Sequence, residues 1–234
     1  MPVLPIKLTD GVWRIPTFGR NLINSYLIEN SDGTISLIDC GLKSTSKKLI
    51  ASLRAINRSP EEVREILITH AHSDHLGGAR KFQEASSGKT HIHESDVSYA
   101  ENGKNPPIGG GGPLGKVLGF VNTRIPSCHI DQTFKDGDRF NIGTGLTVLH
   151  TPGHSPGHCS FYLGNAGLLI TGDALFNFRD KISYSFAAFC YDEKMSKDTA
   201  ERLGDPDYEI VAFTHGPPIR ENAKQSVREF LSRR

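Results

Sequence analysis

The 234-residue chain carries 27 Lys and Arg against 26 Asp and Glu, a formal charge of +1, with no run of like charge, so no nucleic-acid partner is expected. Its length allows one sizeable core, and it is read as a single domain over 1–234 with a Gly/Pro-rich loop insertion at about 101–126. Met1-Pro2-Val3-Leu4-Pro5-Ile6-Lys7 lacks the basic and apolar regions of a signal peptide, and no apolar run could span a bilayer, which predicts a cytoplasmic protein with no membrane partner.

Val12–Ile15, Asn24–Ile28 and Ile35–Ile38 read as antiparallel strands, the last two joined by Asn30-Ser31-Asp32-Gly33. Leu49, Ile50, Leu53 and Ile56 recur at helical spacing over Lys47 to Ile56, and Ser59-Pro60-Glu61-Glu62 has the form of a helix start. A buried strand is expected over Val63 to Ile68 and a helix over Leu76 to Gln83. A strand at Thr90-His91-Ile92-His93 and a helix from Asp96 follow. On that strand one of His91 and His93 is expected to face the core and the other the surface.

Asn105-Pro106-Pro107-Ile108-Gly109-Gly110-Gly111-Gly112-Pro113 breaks all periodicity and reads as a lid or binding loop. Gly110, Gly115 and Lys116 approach a phosphate-loop spacing, but Val117 takes the Ser/Thr place and no strand precedes them, which argues against a nucleotide. Strands are expected again at 140–142, 146–149, 160–163 and 168–171, then a helix at 195–203, a strand at 209–213 and a terminal helix at 223–231. Two strand-rich halves, each with helices, predict an α+β fold, a four-layer αββα sandwich of two mixed sheets flanked by helices. Cys40, Cys128, Cys159 and Cys190 form no Cys-x-x-Cys pair and read as reduced, partly buried thiols.

The chemistry concentrates in Thr69-His70-Ala71-His72-Ser73-Asp74-His75, four metal-ligand side chains behind an apolar run. His154, Asp173 and His215 each fall where a strand ends in a Gly- or Pro-rich turn. With Ile38-Asp39-Cys40-Gly41, Thr151-Pro152-Gly153-His154, Gly172-Asp173 and Thr214-His215-Gly216, this pattern resembles the metallo-β-lactamase-fold hydrolases over almost the whole chain.

The resemblance implies two zinc ions, with iron or manganese as alternatives. It assigns His70, His72 and His154 to one ion, Asp74, His75 and His215 to the other, and Asp173 to the bridge between them. Asp39 would support the ligand loop from beneath. A metal-bridging hydroxide would attack the carbonyl of a small ester, lactone or thioester, and Asp74 would pass a proton to the leaving group.

A β-lactam hydrolase is the next reading, although true zinc β-lactamases generally lack the carboxylate found here as Asp173. A mononuclear iron persulfide dioxygenase comes third. Hydroxyacylglutathione hydrolases share the Thr-Pro-Gly-His and Gly-Asp stretches but carry a basic helical tail that is not matched here. Lactonases often have a Tyr three residues after the bridging Asp; Phe176 stands there, so Tyr184 is the alternative hydroxyl donor. Phe176, Phe178, Phe186 and Phe189 read either as core or as an acyl pocket. The partner is a small-molecule substrate, and a homodimer is the default assembly.

Overall fold

The computed structural model describes residues 4–109 and 124–233. The phosphate-loop segment at 110–117 and most of the expected lid lie outside the described residues. The N-terminal sheet comprises β1 (Ile6–Thr9), β2 (Val12–Phe18), β3 (Ile23–Glu29), β4 (Ile35–Ile38), β5 (Val63–Leu67), β6 (Lys89–His93) and β7 (Gln132–Phe134), paired in that order. β1 to β4 run antiparallel, and β4 to β7 pair in parallel. The second sheet has the order β14-β11-β10-β9-β8, formed by β8 (Arg139–Phe140), β9 (Leu146–His150), β10 (Cys159–Leu163), β11 (Leu168–Ile170) and β14 (Ile210–Ala212). A separate hairpin joins β12 (Leu175–Phe178) to β13 (Lys181–Tyr184).

Strand periodicity sorts the apolar side chains into three layers, as an αββα sandwich requires. Along β4, Ile35 and Leu37 face α1 (Ser46–Ala55) and its neighbours, while Ile38 faces the second sheet. Along β11, Leu168 and Ile170 point between the sheets and Leu169 points outward. The outward layer is closed by the terminal helix, whose Val227 and Leu231 are buried. β4 is buried at every residue, as expected of a strand covered on both faces.

Two expectations change. The helix expected over Leu76 to Gln83 is split into α2 (Ser73–Leu76) and α3 (Ala79–Ala85). The turn after β4 docks at the break, where Gly78 N–H donates to Gly41 O at 3.0 Å and Cys40 N–H to His75 O at 2.7 Å. His91 and His93, two residues apart on β6, share a face, because side chains repeat every second residue of a strand. Both are buried: His91 meets Phe140 edge-on, and His93 stacks on His150 with centroids 3.9 Å apart.

α4 (Val97–Asn102) follows the β6 corner. α5 (Glu193–Ala200) begins two residues before the sequence predicts because the Asp192 side chain caps Met195 N–H. α6 (Ala223–Leu231) ends where predicted. All four cysteines are free and buried, and no helix among the described residues is long and apolar enough to cross a membrane.

Candidate metal centre

His70, His72, Asp74 and His75 follow β5, His154 lies between β9 and β10, Asp173 follows β11, and His215 follows β14. The sheet topology brings these strand ends to one edge. Backbone shape then aims two of the ligands. Gly153 (φ +124°) and Gly216 (φ +126°) flank His154 and His215, and a Cβ there would lie 2.1 Å from Ser196 N and 2.0 Å from Asn177 O respectively. Only glycine allows these turns to pass so close to neighbouring backbone.

Three groups of ligand atoms form, each within 4.8 Å: His70, His72 and His154; His70, His75 and Asp173; and Asp74, His75 and His215. In the first, His72 Nδ1 lies 3.0 Å from His70 Nε2 and 2.9 Å from His154 Nε2. That is within a few tenths of the roughly 3.3 Å that Zn–N bonds of about 2.0–2.1 Å impose at tetrahedral angles. Neighbouring groups fix the tautomers. His70 Nδ1–H donates to Thr69 Oγ1 and His154 Nδ1–H to Ser185 Oγ, at 3.1 and 2.7 Å.

Two lone pairs therefore converge on His72 Nδ1, which can give a proton to only one of them. A cation at their common focus satisfies all three.

In the second group His75 Nδ1–H donates to Asp39 Oδ2 at 2.7 Å, leaving Nε2 buried with no hydrogen-bond partner in good geometry. That atom faces Asp173 Oδ1 at 3.3 Å and Asp74 Oδ2 at 3.6 Å. His215 Nε2 lies 3.4 Å from Asp74 Oδ2 and 3.2 Å from Asp173 Oδ2, while its Nδ1–H donates to Leu22 O. Asp173 Oδ2 also lies 3.3 Å from His154 Nε2, so this carboxylate reaches from the group of His70, His72 and His154 to that of Asp74, His75 and His215. The donor set, five imidazoles and two carboxylates with no thiolate, fits two divalent cations of zinc-like preference.

The charge balance differs between the groups. Burial holds His70 and His154 well below the usual imidazole range and His72 at about 4, so these rings are neutral donors at physiological pH. Burial also opposes charge on His75 and His215, but Asp173 and Asp74 outweigh it. His75 rises well above its ordinary value and His215 to about 10. Asp74 and Asp173 stay well below the usual carboxylate range; burial pushes them up, and the facing histidines more than reverse it.

Asp39 accepts from Thr69 N–H at 2.8 Å and from His75, and the Thr69 hydroxyl bridges it to His70. His158 donates through Nδ1–H to Thr151 O and accepts Asp173 N–H on Nε2 at 2.7 Å, which fixes the turn that carries Asp173. Asn24 Nδ2–H donates to Phe213 O and Gly216 O, clamping the His215 turn onto β3.

Asp96 and Ser185 hold ligand turns without any sequence motif. The buried Asp96 carboxylate accepts from Ala71 N–H at 3.0 Å, the Ser155 hydroxyl at 2.7 Å and Gly157 N–H at 2.7 Å, tying the loop of His70 and His72 to that of His154. Its partners are distant in sequence, so local patterns cannot find it; a lone acid between a strand and a helix is the only cue.

A cleft of about 390 Å³ opens over the candidate ligands, lined by His72, Ser73, Asp74, His154, Asp173 and His215. Apolar side chains, including Phe176, Phe178, Phe186 and Phe189, line it as well. Phe176 lies 4.8 Å from the His215 ring. Tyr184 is placed elsewhere: it packs on Phe230 of α6 with centroids 4.7 Å apart and is not part of the cleft.

Comparison with known proteins finds relatives along most of the chain. The metallo-hydrolase candidate YqgX of Bacillus subtilis, described as probable, is 31% identical over 94% of this chain and 97% of its own. A hydroxyacylglutathione hydrolase of Cereibacter sphaeroides is 30% identical over 47% of this chain and 33% of its own. A metallo-beta-lactamase variant from Cronobacter sakazakii shares the fold at a TM-score of 0.72 and 22% identity, covering 92% of this chain and 81% of that one. The model of the metallo-beta-lactamase superfamily matches residues 18–215, from the end of β2 to the last histidine of the site. The chain therefore belongs to the metallo-beta-lactamase superfamily.

Proposed function

We propose that this chain is a hydrolase that holds two zinc ions and cleaves a small ester, lactone or thioester. The observation that carries the reading is one carboxylate, Asp173, lying between His154 and His215 in a cleft that phenylalanines also line. Two divalent cations held there would lower the pKa of a bound water and polarise a carbonyl.

The chain's own residues supply the rest. Asp74 lines the cleft 3.4 Å from His215 Nε2 and is deprotonated, so it can take a proton and return it to the leaving atom. Phe176 and its neighbours exclude water from the apolar side. Ser73 is the one side-chain hydroxyl among the described lining residues. No Lys or Arg is among them either, so within the described lining the metal ions would be the main counter-charge for an anionic substrate.

Metal content by elemental analysis, followed by lactone, thioester, ester and β-lactam panels on the same sample, tests the reading. Two zinc ions per chain and chelator-sensitive turnover of an ester, lactone or thioester are expected. One iron per chain with oxygen uptake on a persulfide would replace it with a dioxygenase. Asp74→Asn with both metals and full activity would remove Asp74 from the proton path.

A further inference from the structure

We infer that the cleft selects a neutral acyl chain of medium length and that Phe186 and Phe189 set that length; this deepens, and rests on, the hydrolase reading. The phenylalanines form a continuous track. Phe176 lies against the His215 ring, contacts Phe178 at 5.4 Å and Phe186 at 5.7 Å between centroids, and Phe178 stacks on Phe186 at 5.8 Å and 13°. Phe189 extends the row 6.4 Å beyond Phe186. Phe176 is buried at 4% exposure, whereas Phe186 and Phe189 are half-exposed at 52% and 43%.

Aromatics that serve a core are buried, whereas two half-exposed rings at the outer end of an apolar wall leave surface that an alkyl chain would cover. The cleft volume of about 390 Å³ leaves room, beside the reacting group, for a chain on the order of six to ten carbons.

The outer rings are also held at a fixed distance from the ligands. Ser185, next to Phe186, accepts the His154 Nδ1–H. Phe189 N–H donates to Phe186 O, Tyr191 N–H to His154 O, and Gly109 N–H to Cys190 O. The segment bearing both rings is thus anchored to a metal ligand at each end. A preorganised wall makes chain length a matter of contact area, because little ordering cost is left to offset it.

The test is a chain-length series of p-nitrophenyl alkanoates and alkyl lactones, acetyl to dodecanoyl, on the zinc-loaded protein. We expect kcat/KM to climb about fourfold per methylene up to the length that fills the track and then level off. The gain should appear in KM, since the chain binds equally in ground and transition states. Phe186→Ala and Phe189→Ala should each reduce the decanoyl-to-acetyl ratio at least tenfold.

Binding of alkan-2-ones, neutral carbonyl compounds that cannot be hydrolysed, is measured by calorimetry on wild type and both variants. It reads the track without turnover. A flat length profile in kcat/KM and in binding overturns the inference while leaving chelator-sensitive hydrolysis intact. Length-dependent ketone binding without hydrolysis of any acyl substrate supports the track and defeats the hydrolase reading.

Discussion

Asp96 is a buried carboxylate held by Ala71 N–H, Ser155 O–H and Gly157 N–H. Burial raises its pKa, and the three donors counter only part of that effect. Asp96→Ala leaves two backbone N–H groups without acceptors at about 1–3 kcal/mol each and opens a small cavity, so a loss of about 3–6 kcal/mol is expected. In Asp96→Asn the amide oxygen still serves Gly157, Ser155 can turn to accept, and only Ala71 is orphaned; removal of the buried charge offsets part of this. About 1–3 kcal/mol is expected there.

Because Ala71 lies between His70 and His72 and Ser155 follows His154, loss of the tie should also weaken zinc binding at the first group by roughly 10- to 100-fold. Urea unfolding of the metal-free protein and competition with a chromophoric chelator measure the two effects separately. If Asp96→Ala unfolds within about 1 kcal/mol of wild type and binds zinc within twofold, the two loops hold themselves and the reasoning fails.

Asp39→Asn keeps a residue that tolerates the observed φ of +59° but cannot accept on both sides. The second zinc should bind roughly 10- to 100-fold more weakly, which stoichiometric titration would reveal, and unchanged affinity would deny Asp39 its hold on His75. Calorimetry near neutral pH in buffers of different ionisation enthalpy should find no proton released on filling the first group, whose imidazoles are neutral. Filling the second should release about two, because His75 and His215 are protonated before metal arrives; equal release at both groups would contradict that charge balance. Away from the metals, burial and then His150 lower His93 to about 4. The unfolded chain then binds more protons between about pH 6.5 and 4, so stability is complete above that window and falls as pH drops through it. His93→Gln should flatten this acid limb in denaturation measured across pH.

The ligands were readable because each sits in a short pattern of its own: imidazoles behind an apolar strand, or a His or Asp in a Gly-rich turn. The three-layer core was readable for a similar reason, since Leu37 and Ile38 on β4, or Leu169 and Ile170 on β11, alternate between layers within one strand. The hairpin of β12 and β13 was not. Its two-residue turn is Arg179-Asp180, both at positive φ, in place of the Asn-Gly or Asp-Gly that marks such turns in sequence. Tyr184 was misplaced for the same reason, because without the hairpin register nothing showed that it turns toward Phe230 while Phe176 turns toward the cleft.

The supports of the site are a harder case still. Asp96 meets Gly157 across 61 positions, Ser185 meets His154 across 31, and Asn24 meets Phe213 across 189. Such contacts exist only once the sheets have formed, yet they hold the turns of His154 and His215 and set where the Phe186 segment stands. Ligand patterns in a sequence therefore report the kind of chemistry, whereas the shape of the cleft beside them depends on a hairpin turn and the Phe186 segment, which become visible only in the folded chain.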